Sequence, residues 1–241
     1  MSKSKYENGK ESAMLTWKKI LTASAVVLAG AAAVSFVFAG QEGGQTAEEK
    51  GHSCSEEKCP GAAPDFVLTD QNGKEVKLSD FVGKKIVVLE WANWDCPYVK
   101  PHYENKTFAK LIEKYVRRQK EEEPEKKVVW LTINSTYYAK PEDHKAWAEK
   151  YALTHPILAD PNGKAGRLYK ATNTPQMFVI GLEGHIAYQG AIDNAPLGKV
   201  PENQTYVNYV EQALEALLAG KEPPVKQTKP YGCTVKYPPG K

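Results

Sequence analysis

A strand that ends in a cysteine-containing turn is the feature that most restricts the fold of this chain. Lys85–Trp91 is rich in β-branched and apolar residues, which is typical of a strand inside a sheet. The turn after it contains Cys96-Pro97, which is predicted to open a helix. Unpaired N–H groups and the helix dipole at a helix N-terminus both favour a thiolate. The sequence therefore makes Cys96 the candidate nucleophile.

Strands and helices alternate along the chain around this motif. Short apolar or β-branched runs between turn residues predict extended segments, and apolar residues at helical spacing predict helices. The predicted strands are Phe66–Leu68, Val76–Phe81, Lys85–Trp91, Val128–Ile133, Ile157–Ala159, Met177–Ile180 and His185–Tyr188, and the predicted helices are His102–Arg118, Pro141–Tyr151, Lys164–Tyr169 and Tyr206–Leu218. This alternation predicts an α/β fold whose central sheet of about five strands carries helices on both faces.

The first 39 residues have the pattern of an export signal. Residues 1–19 are lysine-rich, Ile20–Phe38 contains no charged residue, and Val37-Phe38-Ala39 provides the small residues that a signal peptidase recognises. The apolar run is also long enough to span a bilayer. Residues 1–39 are therefore expected to be a cleaved signal peptide or an N-terminal membrane anchor. Both alternatives predict an exported protein, periplasmic or extracellular, that contacts a membrane only through residues 20–38 if they are retained.

The composition divides the rest of the chain into three parts. Residues 40–62 form a polar linker with Cys54 and Cys59, residues 63–220 have the pattern of a globular domain, and residues 221–241 form a Pro-rich tail with Cys233. The net charge of +3 arises from basic residues scattered among acidic ones, so no nucleic-acid binding is expected. Four cysteines are too few to replace a hydrophobic core.

Four segments of the predicted domain carry recognisable motifs. They are Ala63-Pro64-Asp65-Phe66, Leu78-Ser79-Asp80-Phe81-Val82-Gly83-Lys84, the segment from Trp91 to Cys96, and Asn173-Thr174-Pro175-Gln176-Met177-Phe178-Val179-Ile180. Together they resemble the thioredoxin-fold redoxin superfamily, of thioredoxin-like or alkyl hydroperoxide reductase/thiol-specific antioxidant type. The resemblance implies a thioredoxin-like fold with a mixed sheet. It also implies that the Thr174-Pro175 peptide bond is cis and lies against the active-site thiol.

The chain departs from the superfamily's motifs around Cys96. Thioredoxin-like reductases carry Cys-x-x-Cys, but Val99 stands at the second cysteine position. Peroxiredoxins carry Pro-x-x-x-Thr-x-x-Cys, but Leu89 and Asn93 stand at the Pro and Thr positions. Copper-delivery members use Cys-x-x-x-Cys, and Lys100 stands at that second position. A redox reaction at Cys96 therefore needs a second thiol from elsewhere.

Cys233 is the candidate second thiol. It lies in Lys229–Tyr237, a segment with more aromatic and β-branched residues than a disordered tail, so the segment is expected to dock on the domain. The alternatives are a passive residue in the docked segment and an intermolecular disulfide. Cys54 and Cys59 are candidates for a local disulfide or exchange pair. The alternatives for that pair are a soft-metal site with His52 and no defined role.

The resemblance also implies roles for residues near Cys96. Glu90 stands where thioredoxins have a buried proton acceptor, and the alternative is a glutamate that reaches solvent at the end of its strand. The residues expected to bind the substrate are Trp94, Pro97, Tyr98, Thr174 and Pro175.

The preferred function is an exported thiol–disulfide oxidoreductase in which Cys96 attacks a partner disulfide and Cys233 or an external thiol resolves the product. One alternative is a one-cysteine thiol peroxidase in which peroxide oxidises Cys96 to a sulfenic acid. The other is a non-catalytic module that holds extended peptides. The expected partners are protein thiols or disulfides, or peroxide, and an external electron donor, without a cofactor or metal.

Overall fold

The computed structural model describes residues 61–118 and 127–240. The strands in these residues are β1 (Val67–Asp70), β2 (Glu75–Lys77), β3 (Ile86–Trp91), β4 (Val128–Asn134), β5 (Ile157–Ala159), β6 (Asn173–Thr174), β7 (Gln176–Ile180), β8 (Ile186–Gly190) and β9 (Cys233–Thr234). Seven of them form one sheet in the order β2-β1-β5-β4-β3-β7-β8, and β6 pairs with β9 in a second. The main sheet of the described chain thus has more strands than the five expected.

The main sheet is mixed. β3, β4 and β5 are parallel neighbours, and the outer pairs β1–β2, β1–β5, β3–β7 and β7–β8 are antiparallel. Every side chain of β3 is buried, because other strands and layers cover both its edges and both its faces. This buried mixed sheet, with helices packed on it, confirms the predicted α/β class.

The helices are α1 (Lys100–Glu104), α2 (Thr107–Ile112), α3 (Pro141–Tyr151), α4 (Lys164–Leu168) and α5 (Tyr209–Leu218). Side chains from α1, α2, α3 and α5 pack with Ile86 and Val88 of β3, whereas Ala165 of α4 belongs to the cluster around Val87 and Leu89. Since neighbouring residues of a strand point to opposite faces, the helices cover both faces of the sheet.

Three predicted elements differ from the structure by more than a shift of one or two residues at their ends. The helix predicted over 102–118 is divided, because Lys106 adopts a left-handed conformation with φ of 60°, and α2 runs into a π-helical turn at Glu113–Arg117. The extended segment predicted over 76–81 ends at Lys77 and continues as a 3₁₀ turn. The last helix begins at Tyr209, where the Asn208 side chain caps it by accepting a hydrogen bond from the N–H of Glu211 (2.9 Å).

The predicted signal or anchor segment, the linker with Cys54 and Cys59, and most of the charged loop around 120–127 lie outside the described residues. Within 61–118 and 127–240, no helix combines the length and the apolar character that crossing a bilayer requires.

Candidate active site

Cys96 lies in a tight turn between β3 and α1. The Oδ1 atom of Asn93 accepts a hydrogen bond from the N–H of Asp95 (2.9 Å), and the Asn93 carbonyl accepts one from the N–H of Cys96 (3.1 Å). The carbonyl of Cys96 accepts hydrogen bonds from the N–H groups of Val99 and Lys100. The turn therefore fixes Cys96 at the carboxyl end of a parallel strand, where α/β folds commonly hold reactive groups.

The helix that follows begins later than the sequence predicted. Cys96-Pro97 was expected to open it, whereas α1 begins only at Lys100 and contains five residues. Pro101 has no N–H with which to extend the helical hydrogen bonding back toward the turn. Among the causes that lower the pKa of the thiol, the one from this turn is a backbone hydrogen bond from Tyr98.

The peptide bond between Thr174 and Pro175 is cis, as predicted. It joins β6 to β7, and β7 pairs with β3, the strand that leads to Cys96. Both residues are buried, and Sγ of Cys96 donates a hydrogen bond of 3.0 Å to the carbonyl oxygen of Thr174. The strand pairing therefore brings the cis peptide and the thiol into direct contact through Thr174.

The C-terminal segment lies against the other side of this contact. β9 pairs with β6 in antiparallel fashion, with Cys233 opposite Thr174, and Nδ2 of Asn173 donates a hydrogen bond of 2.9 Å to the carbonyl of Gly232. Gly232 has a φ of +110°, and a Cβ there would lie 2.0 Å from the carbonyl oxygen of Thr174. Only glycine fits this close approach, which sets Cys233 next to Cys96.

Both thiols are free and both lie at Thr174, since Sγ of Cys96 donates to its carbonyl and Cys233 is opposite it in the β6–β9 pair. Burial raises the pKa of Cys96, but the polar groups of Cys233, Thr174 and Tyr98 around the sulfur stabilise its thiolate and lower the pKa by more. The pKa of Cys96 therefore lies below its usual value, as predicted. Burial and the neighbouring Cys96 raise the pKa of Cys233 to about 11. Cys96 is thus the sulfur that ionises first, and Cys233 remains a thiol beside it.

The five residues expected to bind the substrate fall into two groups. Pro97 is exposed and Tyr98 is partly exposed, so both offer surface to a partner. Thr174 and Pro175 are buried, and β9 pairs with the backbone of Thr174. Trp94 is also buried, and its ring stacks on Trp147 at 4.6 Å between centroids.

Glu90 is fully buried on the face of β3 that packs with Cys96, which excludes the solvent-facing alternative. Its carboxylate accepts hydrogen bonds from Tyr103 Oη (2.8 Å), Trp130 Nε1 (2.9 Å) and Thr132 Oγ1 (3.1 Å). Burial raises the pKa of Glu90 to about 7, although these three hydrogen bonds act to lower it. Glu90 can therefore gain or lose a proton near neutral pH.

We expect Glu90 to make the folded protein less stable as the pH rises. Between its ordinary pKa of 4.5 and the folded-state value of about 7, the folded state holds a proton that the unfolded state has released. This contribution is complete below pH 4.5 and is lost as the pH passes 7, which lowers the free energy of unfolding by about 3 kcal/mol. The contribution of Glu90 is measured by urea unfolding from about pH 4.5 to about pH 8, as the difference in free energy of unfolding between the wild type and Glu90→Gln.

The comparison with Glu90→Gln is needed because His155 makes the folded protein more stable as the pH rises, which opposes the effect of Glu90. Burial and Arg117 lower the pKa of His155 to about 4, so its contribution grows with pH over the same range. His155 meets Glu90 through the Thr132 hydroxyl, and Glu90→Gln keeps an oxygen that can accept from Thr132, so the His155 contribution should remain in both proteins. Glu104→Gln, which changes an exposed carboxyl on α1, is the control and should keep the wild-type pH dependence. Identical pH profiles for Glu90→Gln and the wild type would contradict the assignment.

Sequence reasoning missed a buried polar cluster under the C-terminal segment. The Tyr231 hydroxyl donates a hydrogen bond of 2.6 Å to Oδ1 of Asp193 and lies 2.9 Å from Nε2 of His102. His102, the first residue of the predicted helix over 102–118, is buried. The position of Tyr231 just before Cys233 was a usable signal, but Asp193 is 38 residues away in sequence and carries no local pattern. Within the described residues, no group of three or more Cys, His, Asp or Glu side chains could hold a metal ion.

The sequence model of the AhpC/TSA family matches residues 61–189, more than half of the chain. The chain belongs to the AhpC/TSA family. This confirms the resemblance to the redoxin superfamily. The part of this AhpC/TSA protein that matches includes Glu90, Cys96 and the Thr174-Pro175 peptide, whereas Cys233 follows it.

Two curated relatives have sequences similar to this AhpC/TSA chain. The thiol-disulfide oxidoreductase ResA of Bacillus thuringiensis subsp. konkukian is 30% identical over 125 residues, which cover 52% of this chain and 64% of ResA. The thioredoxin-like protein YneN of Bacillus subtilis is also 30% identical over 125 residues, which cover 52% of this chain and 66% of YneN. The match therefore spans slightly less than two thirds of either relative.

Two solved structures share the fold of this AhpC/TSA chain over most of their length. An uncharacterised conserved protein from Geobacillus kaustophilus has a TM-score of 0.64 at 28% identity, covering 75% of this chain and 92% of that protein. A hypothetical protein from Sinorhizobium meliloti has a TM-score of 0.62 at 24% identity, covering 74% and 94%, which supports the fold alone.

Proposed function

We propose that this protein is a thiol–disulfide oxidoreductase whose redox pair is Cys96 and Cys233. The observation that carries the proposal is the position of these two free thiols beside the cis Thr174-Pro175 peptide, with Cys96 bonded to the Thr174 carbonyl and Cys233 opposite Thr174 in the β6–β9 pair. Two neighbouring thiols of unlike pKa suit disulfide exchange, since one attacks as a thiolate and the other resolves the product. The name of the ResA relatives supports the same class of reaction. Cys233 takes the place of the second cysteine that the Cys96 motif lacks.

The proposed reaction transfers two electrons to a partner protein. The Cys96 thiolate attacks a sulfur of the partner's disulfide, forming a mixed disulfide and releasing a partner thiolate that takes up a proton. Cys233, after losing its proton, attacks Sγ of Cys96 and displaces the second partner sulfur as a thiolate, which is also protonated. The partner disulfide becomes a dithiol and the Cys96–Cys233 dithiol becomes a disulfide. An external dithiol donor then reduces the Cys96–Cys233 disulfide. In the reverse direction, the Cys96–Cys233 disulfide oxidises a partner dithiol and becomes a dithiol itself.

Glu90 is proposed as the buried proton acceptor for this exchange. Its pKa of about 7 and its position on the Cys96 face of β3 support the role, because an acceptor with a pKa near the working pH can both take and return a proton. The three hydrogen bonds of Glu90 run to Tyr103, Trp130 and Thr132. None of these three partners is Cys96 or Cys233. We therefore propose that the proton passes between Glu90 and the sulfurs through intervening groups and not by direct contact.

The proposed partners are protein thiols and disulfides, and the contact surface is proposed to include the exposed Pro97 and the half-exposed Tyr98 beside Cys96. Trp94 is proposed to support this surface from below, through its stacking on Trp147. Thr174 and Pro175 are proposed to bind the partner only after β9 has moved, since β9 pairs with Thr174 in this structure.

We also propose the predicted domain organisation and export. The lysine-rich start, the uncharged Ile20–Phe38 run and the Val37-Phe38-Ala39 site support an export signal or anchor in residues 1–39. A linker over 40–62, a redoxin domain over 63–220 and a C-terminal segment over 221–241 complete the proposal. An oxidising compartment outside the cytoplasm suits a chain with a local Cys54–Cys59 pair.

Reduction of insulin disulfides by the purified full chain, with dithiothreitol as electron donor, tests the function. We expect the protein to accelerate insulin reduction over dithiothreitol alone, and prior alkylation with N-ethylmaleimide to remove the acceleration. Consumption of hydrogen peroxide without insulin reduction would replace the proposal with a thiol peroxidase. The absence of both activities would leave a peptide-binding module.

A further inference from the structure

The sulfur with the lower pKa is the less accessible of the two. Cys96 is only 2% exposed, whereas Cys233 is partly exposed. β9 pairs with Thr174 at the cis peptide, and Gly232 approaches the Thr174 carbonyl closely. A protein disulfide cannot reach Sγ of Cys96 while the segment around Cys233 remains docked. Under the proposed function, this segment must therefore leave Cys96 for the first step and return to it for the second.

One buried hydrogen-bonded chain holds this segment beside Cys96. Tyr231 donates to Oδ1 of Asp193 (2.6 Å), so its oxygen accepts from Nε2–H of His102 (2.9 Å). Burial lowers the pKa of His102 despite the nearby Asp193, which keeps the ring neutral with one N–H to donate. His102 and Asp193 are almost completely buried. Loss of the Tyr231 hydroxyl would remove the acceptor of His102 Nε2–H from a buried site and one of the donors to Asp193, which also accepts from Ala195 N–H and Tyr206.

This chain of hydrogen bonds is placed to control Cys233 and Cys96 together. Tyr231 is separated from Cys233 by Gly232 alone, and His102 belongs to α1, the helix that follows the Cys96 turn. The Tyr231 ring also stacks on His102, with centroids 6.0 Å apart, and lies 6.2 Å from the ring of Tyr98. Through Tyr231, the C-terminal segment therefore contacts both the turn that contains Cys96 and helix α1.

Separate anchors hold the chain on either side of this contact. Thr228 donates its N–H to the Gln189 carbonyl (3.1 Å), and its Oγ1 accepts from the N–H of Ala191 (2.9 Å). Tyr237 donates its hydroxyl to the carbonyl of Ala171 (2.7 Å). Release of Tyr231 would therefore leave the short loop between these anchors held only by the β6–β9 pairing and the backbone hydrogen bonds beside it.

We propose that His102, Asp193 and Tyr231 are positioning residues that form a latch, which holds Cys233 against Cys96 and controls the access of partner proteins to Cys96. This inference rests on the proposed redox pair. Opening the latch favours the first half of the exchange, because Cys96 becomes accessible. It disfavours the second half, because Cys233 must dock again to resolve the mixed disulfide. The two half-reactions should therefore respond in opposite directions to loss of the latch.

Tyr231→Phe tests this inference in the full chain, since it removes the hydroxyl and keeps the ring. We expect alkylation of reduced Cys96 by a polyethylene-glycol maleimide, measured on the Cys96 peptide, to become about tenfold faster. The second measurement starts with oxidised glutathione, which forms a mixed disulfide at Cys96 and releases one glutathione. Cys233 then displaces the second glutathione. We expect acid-quenched mass spectrometry to show an approximately tenfold longer lifetime of this mixed disulfide.

Tyr206→Phe is the matched control. Its hydroxyl donates to the other carboxylate oxygen of Asp193 (3.1 Å), but Tyr206 lies outside the C-terminal segment, so both rates should stay near the wild-type values. Asp193→Asn, which weakens the acceptor of Tyr231, should shift both rates in the direction of Tyr231→Phe. Asp193→Asn replaces Tyr231→Phe as the test variant if Tyr231→Phe does not fold.

Wild-type rates in both Tyr231→Phe and Asp193→Asn would overturn the latch, as would two rates that change in the same direction. Failure of wild-type protein to form any Cys96–Cys233 disulfide would instead overturn the proposed redox pair.

Discussion

Cys233→Ser is expected to trap a mixed disulfide between Cys96 and a protein substrate. Without Cys233, only an external thiol can break the disulfide between Cys96 and the partner. An intramolecular thiol that is already held at Thr174, the residue that Cys96 contacts, has a large advantage over a free one. We therefore expect steady-state reduction of insulin to fall by at least about 100-fold. Non-reducing electrophoresis should show a covalent complex that dithiothreitol releases.

Three matched variants make this result specific. Cys96→Ser should form no complex and show no activity, because it lacks the attacking sulfur. Cys54→Ser and Cys59→Ser should resolve the mixed disulfide at the wild-type rate. If Cys233→Ser resolves normally and either linker variant accumulates the complex, the resolving thiol lies in the linker and the assignment of Cys233 is wrong.

Gly232→Ala is expected to prevent the C-terminal segment from docking at the cis peptide. The added Cβ would lie 2.0 Å from the carbonyl oxygen and 2.8 Å from the carbonyl carbon of Thr174, both backbone atoms that cannot rotate away. The φ of +110° at this position is also unfavourable for any residue with a Cβ. Together these effects should destabilise the docked segment by about 3 kcal/mol, which corresponds to about 100-fold slower resolution by Cys233.

Gly240→Ala is the control for this prediction. Position 240 has no atom within 4 Å of an added Cβ and no positive φ, so the variant should resolve the mixed disulfide like the wild type. Gly232→Ala should also expose Cys96 and accelerate its alkylation. Unchanged resolution and unchanged Cys96 alkylation in Gly232→Ala would show that the approach of Gly232 to Thr174 does not hold Cys233 in place.

Local sequence patterns predicted the elements that depend on local interactions. α3 and β5 have the predicted bounds, and β3 and β4 differ from the prediction by one residue at one end. These segments have uninterrupted apolar patterns, so their type and extent follow from periodicity. The cis Thr174-Pro175 bond could be predicted because the motif around it resembles a known superfamily, although the residues alone also permit a trans bond.

The tertiary contacts of the site could be predicted only in part. The aromatic residues around Cys233 indicated docking, but the pairing of β6 with β9 joins two-residue strands too short for any periodicity. The latch brings together His102, Asp193 and Tyr231 from three distant parts of the chain. The coverage of Cys96 depends on the same long-range packing, so the sequence identified the reactive cysteine but not its limited access.

Disulfide mapping of the oxidised full-length protein tests the central claim most directly. The protein is oxidised with glutathione, alkylated, digested without reduction and analysed by mass spectrometry. We expect a cross-linked peptide pair that joins Cys96 to Cys233 and that separates when dithiothreitol is added. A Cys54–Cys59 bridge together with alkylated, unbridged Cys96 and Cys233 would contradict it.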